Sequence, residues 1–204
     1  MLRKCIFVAA MALTPILGHS MDLTNWYLKG LVGFNFLSIP SPSDMDTDAN
    51  VGYAVGGGIG YQLPCNFRVE GELTYRHNTL DQLTIKGSDA NLILKLDGSI
   101  SSLAYIGNLL FDFPVAWACV PYVGFGLGGY QEWNKVRIPA FSGTENDLRL
   151  KSSISGVGYQ FIAGFNWLTC NKITADVEYR FFDSASVSGS NNNHSLVLSC
   201  CKVF

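Results

Sequence analysis

Phe67-Arg68-Val69-Glu70-Gly71-Glu72-Leu73-Thr74-Tyr75-Arg76 is the stretch on which the fold turns. Its odd positions, Phe67, Val69, Gly71, Leu73 and Tyr75, are apolar or glycine. Its even positions, Arg68, Glu70, Glu72, Thr74 and Arg76, are polar and include four charges. A period of two is the mark of a strand with one wet and one dry face. Globular strands usually run to about 5–6 residues, whereas a membrane-crossing strand tilted near 45° needs about 9–11. The same design recurs further on: Ile173, Ala175, Val177, Tyr179 and Phe181 alternate with Thr174, Asp176, Glu178, Arg180 and Phe182.

The alternation extends through the rest of the chain. Residues 26–37 place Trp26, Leu28, Val32, Phe34 and Phe36 opposite Tyr27, Lys29, Gly33 and Asn35. Residues 51–63 set Val51, Tyr53, Val55, Ile59 and Tyr61 against a run of glycines. Segments 120–131, 157–167 and 194–204 follow the same rule, and 103–113 does so more weakly, with Asn108 and Asp112 on its minority face. These segments predict eight antiparallel strands. Their connections alternate between short turns (64–66, 114–119, 168–171) and long polar loops (38–50, 77–98, 133–153, 183–193). Within the second long loop, Leu83 and Ile85 face Leu92, Leu94 and Leu96 around Gly87-Ser88-Asp89, which predicts a projecting hairpin.

Short turns at one rim and long loops at the other describe an all-β, up-and-down transmembrane β-barrel, with the turns periplasmic and the loops extracellular. An even strand number then places both termini at the periplasmic rim. A soluble sandwich also alternates, but here the apolar parity is aromatic at the segment ends (Trp26, Tyr53, Tyr61, Phe67, Tyr75, Phe113, Tyr159, Trp167, Phe181) and aliphatic or glycine between them. Aromatics at two interfaces with aliphatics between suit a lipid-facing band. An eight-stranded barrel has an interior just wide enough for side chains. The polar parity would fill it with Lys29, Arg68, Arg76 and Arg180 against Glu70, Glu72, Asp112, Asp176 and Glu178, a nearly neutral set. Paired and hydrogen-bonded charges are tolerable in such a core, so the expected lumen is plugged rather than an ion-selective pore.

Composition agrees with this. Mean hydropathy is +0.20 and 48% of the 204 residues are apolar, yet the longest apolar stretch after the N-terminus, 115–129, is broken by Pro121 and four glycines. At the N-terminus, Arg3 and Lys4 precede an apolar run from Cys5 to Leu17 and Gly18-His19-Ser20, the layout of a cleaved signal peptide over residues 1–20. The barrel would occupy 21–204, with 12 Lys and Arg against 16 Asp and Glu. That acidic balance argues against a nucleic-acid partner.

The chain closes on Phe204 after the alternating Leu196 and Leu198. With Phe67–Leu73, residues 121–128, residues 176–180 and His194-Ser195-Leu196, this ending resembles the OmpA/OmpX-like small outer-membrane barrels, including opacity-type surface antigens. The resemblance covers about residues 22 to 204. It implies outer-membrane lipids and the barrel-assembly machinery as partners, Phe204 as the assembly signal, and a surface-exposed role as envelope component, adhesin or antigen that meets the host surface. Lys202 departs from the pattern, standing where such terminal strands carry an aromatic.

Five cysteines remain after the leader. Cys65, Cys119 and Cys170 fall in the three short turns, and Cys200 and Cys201 lie near the end of the last strand. All five map to the oxidising periplasmic rim. The readings are small buried thiols or disulfides within the rim and to neighbouring envelope proteins. Gly124-Phe125-Gly126-Leu127-Gly128-Gly129 has the spacing of a dinucleotide fingerprint but precedes no helix, so no cofactor is expected. A lipid-modifying barrel enzyme needs an outward His–Ser pair with an acid. His194 and Ser195 are adjacent and so face opposite sides of a strand. No enzyme activity, catalytic residue or metal site is expected. The alternative to a structural barrel is a small porin or a route for hydrophobic ligands.

Overall fold

The computed structural model describes residues 25–38, 45–49, 51–86, 91–115, 119–138, 148–168, 172–184 and 192–204. Among them run nine strands: β1 (Trp26–Ser38), β2 (Met45–Ala49), β3 (Gly52–Gln62), β4 (Phe67–Lys86), β5 (Asn91–Asp112), β6 (Cys119–Ile138), β7 (Leu148–Leu168), β8 (Ile173–Ser184) and β9 (Asn192–Val203). Eight of them close a ring in the order β4-β3-β1-β9-β8-β7-β6-β5 and back to β4, every pair antiparallel. The ninth, β2, adds to the far end of β4 by pairing Met45 with Ile85 and Thr47 with Leu83.

Pairing partners fix the geometry of closure. From Phe36, successive partners are His194, Phe181, Phe161, Phe125, Leu109, Val69, Tyr61 and finally Trp26. The circuit returns to β1 ten residues below its start. A stagger of ten over eight strands corresponds to a tilt of about 40°, within the usual barrel range. The ten residues from Trp26 to Phe36 then rise about 25 Å along the axis, the height of a lipid-facing apolar band.

Side chains obey the alternation strictly. Leu28, Val32, Phe34, Val55, Ile59, Val69, Leu73, Leu109, Val123, Leu127, Leu196 and Leu198 lie exposed on the outside, while Tyr27, Lys29, Glu70, Glu72, Glu178 and Arg180 are buried inside. Trp26–Tyr61 and Phe67–Phe111, with ring centroids 5.2 and 5.1 Å apart, mark the short-turn rim. Tyr53, Tyr75 and His77 cluster near the other. The outer face is less tidy than expected, because Phe125, Phe161 and Tyr179 occupy its middle. Phe125 and Phe161 are cross-strand partners 5.2 Å apart, and the pairing row climbs the tilted wall, so aromatic neighbours spread over several heights.

Two of the long connections continue as paired strands. β4 and β5 remain paired to Lys86 and Asn91, with Leu83 opposite Leu94 and Ile85 opposite Leu92, the hairpin expected there. β6 and β7 stay paired from Trp133–Ser153 to Ile138–Leu148, where a loop was expected. The charges Lys135, Arg137, Arg149 and Lys151 had disguised an alternation with Val136, Ile138, Leu148 and Leu150. The expected loop at 38–50 likewise contains β2. Residues 185–191 of the last long connection, Cys170 and residues 1–24 lie outside the described residues. At the opposite rim, Cys65 and Asn66 take φ of 64° each and Lys172 61°, the left-handed backbone that reverses a chain in few residues. Both ends of the ring, Trp26 and Val203, lie at this short-turn rim.

Glycines sort by face. A Cβ on Gly30 or Gly71, outside, would meet nothing, whereas one on Gly60 would strike the Tyr27 ring and one on Gly126 the Asn108 and Gln160 side chains. Gly30→Leu and Gly71→Leu should therefore fold like wild type. Gly60→Leu and Gly126→Leu should lose about 1–3 kcal/mol or more to overpacking. The fraction migrating as folded barrel in unheated detergent gels measures the contrast, and equal behaviour of the two classes would contradict the facing.

Candidate functional site in the barrel lumen

The inward side chains of β1, β4, β5 and β8 meet in one polar core. Lys29 Nζ lies 2.7 Å from Glu178 Oε1 and 3.2 Å from Glu70 Oε2. Arg180 gives Nε and Nη2 to Glu178 Oε2 at 2.7 and 2.5 Å, and Nη1 to Glu72 Oε1 at 2.5 Å. Towards the short-turn rim, Arg68 reaches Asp112 at 2.8 Å and Glu70 at 3.9 Å. The sequence Asp112–Arg68–Glu70–Lys29–Glu178–Arg180–Glu72 is thus an unbroken chain of alternating charge across the barrel interior. All of its members are buried except Asp112, whose side chain is 20% exposed.

Neutral groups add further hydrogen bonds to the carboxylates. Tyr27 donates its hydroxyl to Glu70 at 2.7 Å, Ser199 to Glu178 at 2.7 Å and Thr74 to Glu72 at 2.6 Å. Gln160 donates to Asn108 Oδ1, and Asn108 donates more distantly to Glu72. Arg68 also lies over the rings of Tyr27 and Tyr122, 5.9 and 4.7 Å from their centroids. Nearer the long-hairpin rim, the Asn35 amide donates to Asn78 and Asn193, and Ser195 donates to Asn35. The alternation in sequence already puts Tyr27, Asn35, Thr74 and Asn108 on the polar parity, but it does not say which charges they meet.

Two of the nine charged residues stand apart from the chain. Asp176 is buried and, among the described residues, has Ser199 and Cys201 as donors, at 3.4 and 3.6 Å. Arg76, 1% exposed, stacks over Phe182 at 4.6 Å.

The four described cysteines form no disulfide with one another. Cys65 is exposed in its turn and Cys119 half-buried at the start of β6. Cys200 points outward between its partners Gly30 and Ala175, while Cys201 points inward. Alternation along β9 sends the two adjacent thiols to opposite faces.

One constellation absent from the sequence reading appears on the outer face. His77 Nδ1 and Ser101 Oγ, cross-strand partners of β4 and β5, lie 2.8 Å apart. A serine nucleophile also needs an acid orienting its histidine, and among the described residues no carboxylate bonds to His77. His194 Nδ1 instead meets the Tyr179 hydroxyl at 2.6 Å, and Ser195 turns inward.

Because Glu178 serves two buried cations, Glu178→Gln should destabilise the barrel by about 3–5 kcal/mol, the usual result of orphaning buried charge. Asp176→Asn, which leaves no cation behind, should cost about 1 kcal/mol. Urea unfolding in detergent micelles measures both, and equal losses would refute the alternating chain as the organising network.

Comparison with known proteins agrees with this architecture. The sequence matches no curated protein. Among solved structures, the crystal structure of Neisserial surface protein A superposes with a TM-score of 0.60 at 16% identity, covering 88% of this chain and 97% of that one. The outer membrane protein OprG from Pseudomonas aeruginosa gives 0.52 at 12% identity, covering 89% and 96%. At such identities these likenesses speak for the fold. A family model described as the outer membrane protein beta-barrel domain matches residues 5–200, and the chain belongs to that family of outer-membrane β-barrel proteins.

Proposed function

We propose that this barrel is a surface-exposed structural component of the outer membrane, acting as adhesin or antigen through its long hairpins, with a lumen closed to solutes. The observation that carries the reading is the alternating charge chain from Asp112 to Glu72, which ties β1, β4, β5 and β8 together across the interior. An open channel would have to break ion pairs that are almost wholly shielded from water, and breaking such pairs costs several kcal/mol. The short-turn rim faces the periplasm in this reading and the β4–β5 and β6–β7 hairpins stand outside the cell, where binding surfaces on loops concentrate. Exposed Lys135 and Lys151 face each other across the β6–β7 ladder. Like charges directly opposite are destabilising, so their juxtaposition favours a surface held for contact over one selected for stability.

Purified barrel in planar bilayers should show no discrete conductance steps. Regular steps would favour the porin alternative and remove the closed-lumen reading. Protease treatment of intact cells should cut within 77–98 or 133–153 and leave the 64–66 and 114–119 turns untouched, whereas cleavage at those turns would invert the topology. Residues 1–20 should be missing from the mature protein, as its N-terminal sequence would report. Cys65 and Cys119 are the thiols placed to bridge to envelope neighbours. A slower-migrating, reductant-sensitive species in non-reducing gels of native membranes is the expected sign, and a single unchanged monomer band would end that part of the proposal.

A further inference from the structure

The described lumen cations are treated unequally. Lys29 has Glu70 and Glu178, Arg68 has Glu70 and Asp112, and Arg180 has Glu72 and Glu178. Each of the three is thus flanked by two carboxylates. Arg76 has none: among the described residues its Nε, Nη1 and Nη2 make no hydrogen bond, although the residue is 1% exposed. A guanidinium cannot shed its charge in a protein, and an uncompensated buried ion is among the most expensive features a fold can carry.

The surroundings of Arg76 supply half of a binding site. The face of the guanidinium lies over Phe182, 4.6 Å from its centroid. Phe182 meets Tyr130 edge-on, and both pack with Ala104 and Ile106 in a buried apolar cluster. Stacking covers the face of the cation but leaves its N–H donors, which lie in the plane, unanswered. Glu72, a carboxylate on the same strand, already receives Arg180, Thr74 and Asn108. Beside Arg76 in the ladder stand two small residues, Ala54 on β3 and the buried Ser102 on β5.

We propose that the part of the lumen around Arg76 is a binding site for one small monoanion, a carboxylate or halide, held by the in-plane N–H groups of Arg76 against the Phe182–Tyr130 wall. The planar fork of a guanidinium matches a carboxylate in two parallel hydrogen bonds. A single negative charge is what the site calls for. Counted with Arg76, the lumen has four cations against the four carboxylates of the chain and the buried Asp176 and Glu132, so a monoanion paired with Arg76 adds less repulsion than a dianion would. The ligand sits apart from the alternating chain and requires no conduction through it.

The protein refolded into detergent and crystallised from bromide should show an anomalous peak in hydrogen-bond reach of the Arg76 nitrogens. Ordered water alone at those nitrogens would overturn the proposal. In solution, refolding at fixed ionic strength in formate or bromide rather than bulky gluconate should lower the unfolding equilibrium constant about tenfold once the anion reaches ten times its dissociation constant. Arg76→Met should abolish that difference. Equal anion dependence in wild type and variant, or none in wild type, would count against the site. If Arg76→Met does not fold, the bromide map of the wild-type protein decides alone.

Discussion

Glu178 holds the barrel together from the inside. Its two carboxylate oxygens receive Lys29 from β1 and Arg180 from its own strand, with Ser199 of β9 donating a third contact. In a cylinder whose outer face is given to apolar side chains, the interior is where a polar core can form. Polar groups placed there must satisfy one another, because leaving any of them bare costs more than each bond returns. The alternating chain meets that demand. Through Glu178, Lys29, Glu70 and Glu72 it also ties β8 to β1 and β4, strands that the ring order does not place side by side around β8.

The same constraint explains the distribution of glycine and tyrosine. Tyr27 can donate to Glu70 because Gly60, its neighbour across the wall, has no Cβ to obstruct the ring. Asn108 and Gln160 meet because Gly126 leaves room between them. Inward glycines are therefore the counterpart of long inward side chains, whereas outward Gly30 and Gly71 border open space. Beyond the rim the demands change. The β4–β5 and β6–β7 hairpins continue as paired ladders, supported by their own hydrogen bonds and, along β4, by the added β2.

Arg76 shows how far the polar parity was readable in advance. Its place inside followed from the alternation in Phe67–Arg76, as did that of Arg68, Glu70 and Glu72. Its lack of an ion-pair partner among the described residues did not follow, since a near-balance of charge over the whole lumen says nothing about which charges meet. Cys201 carries the same lesson. Nearness to the end of the last strand placed it at the rim, yet its inward thiol lies against Asp176. The β6–β7 extension was missed because the charges at 135, 137, 149 and 151 mimic a loop, while ladder pairing tolerates charge on a strand that stands in water.

What the sequence determined by itself is which side of the wall each residue of the membrane-crossing segments occupies, and hence an all-β barrel of eight strands with an apolar coat and a polar core. That information is local, because the direction of a side chain in a strand depends only on parity. Which inward groups touch was decided only by the tertiary structure. The ten-residue stagger from Phe36 to Trp26 sets the relative height of every strand, and it exists only once the ring closes. Glu178 lies level with Lys29, and Arg76 with Phe182, because of that closure, which no single segment contains.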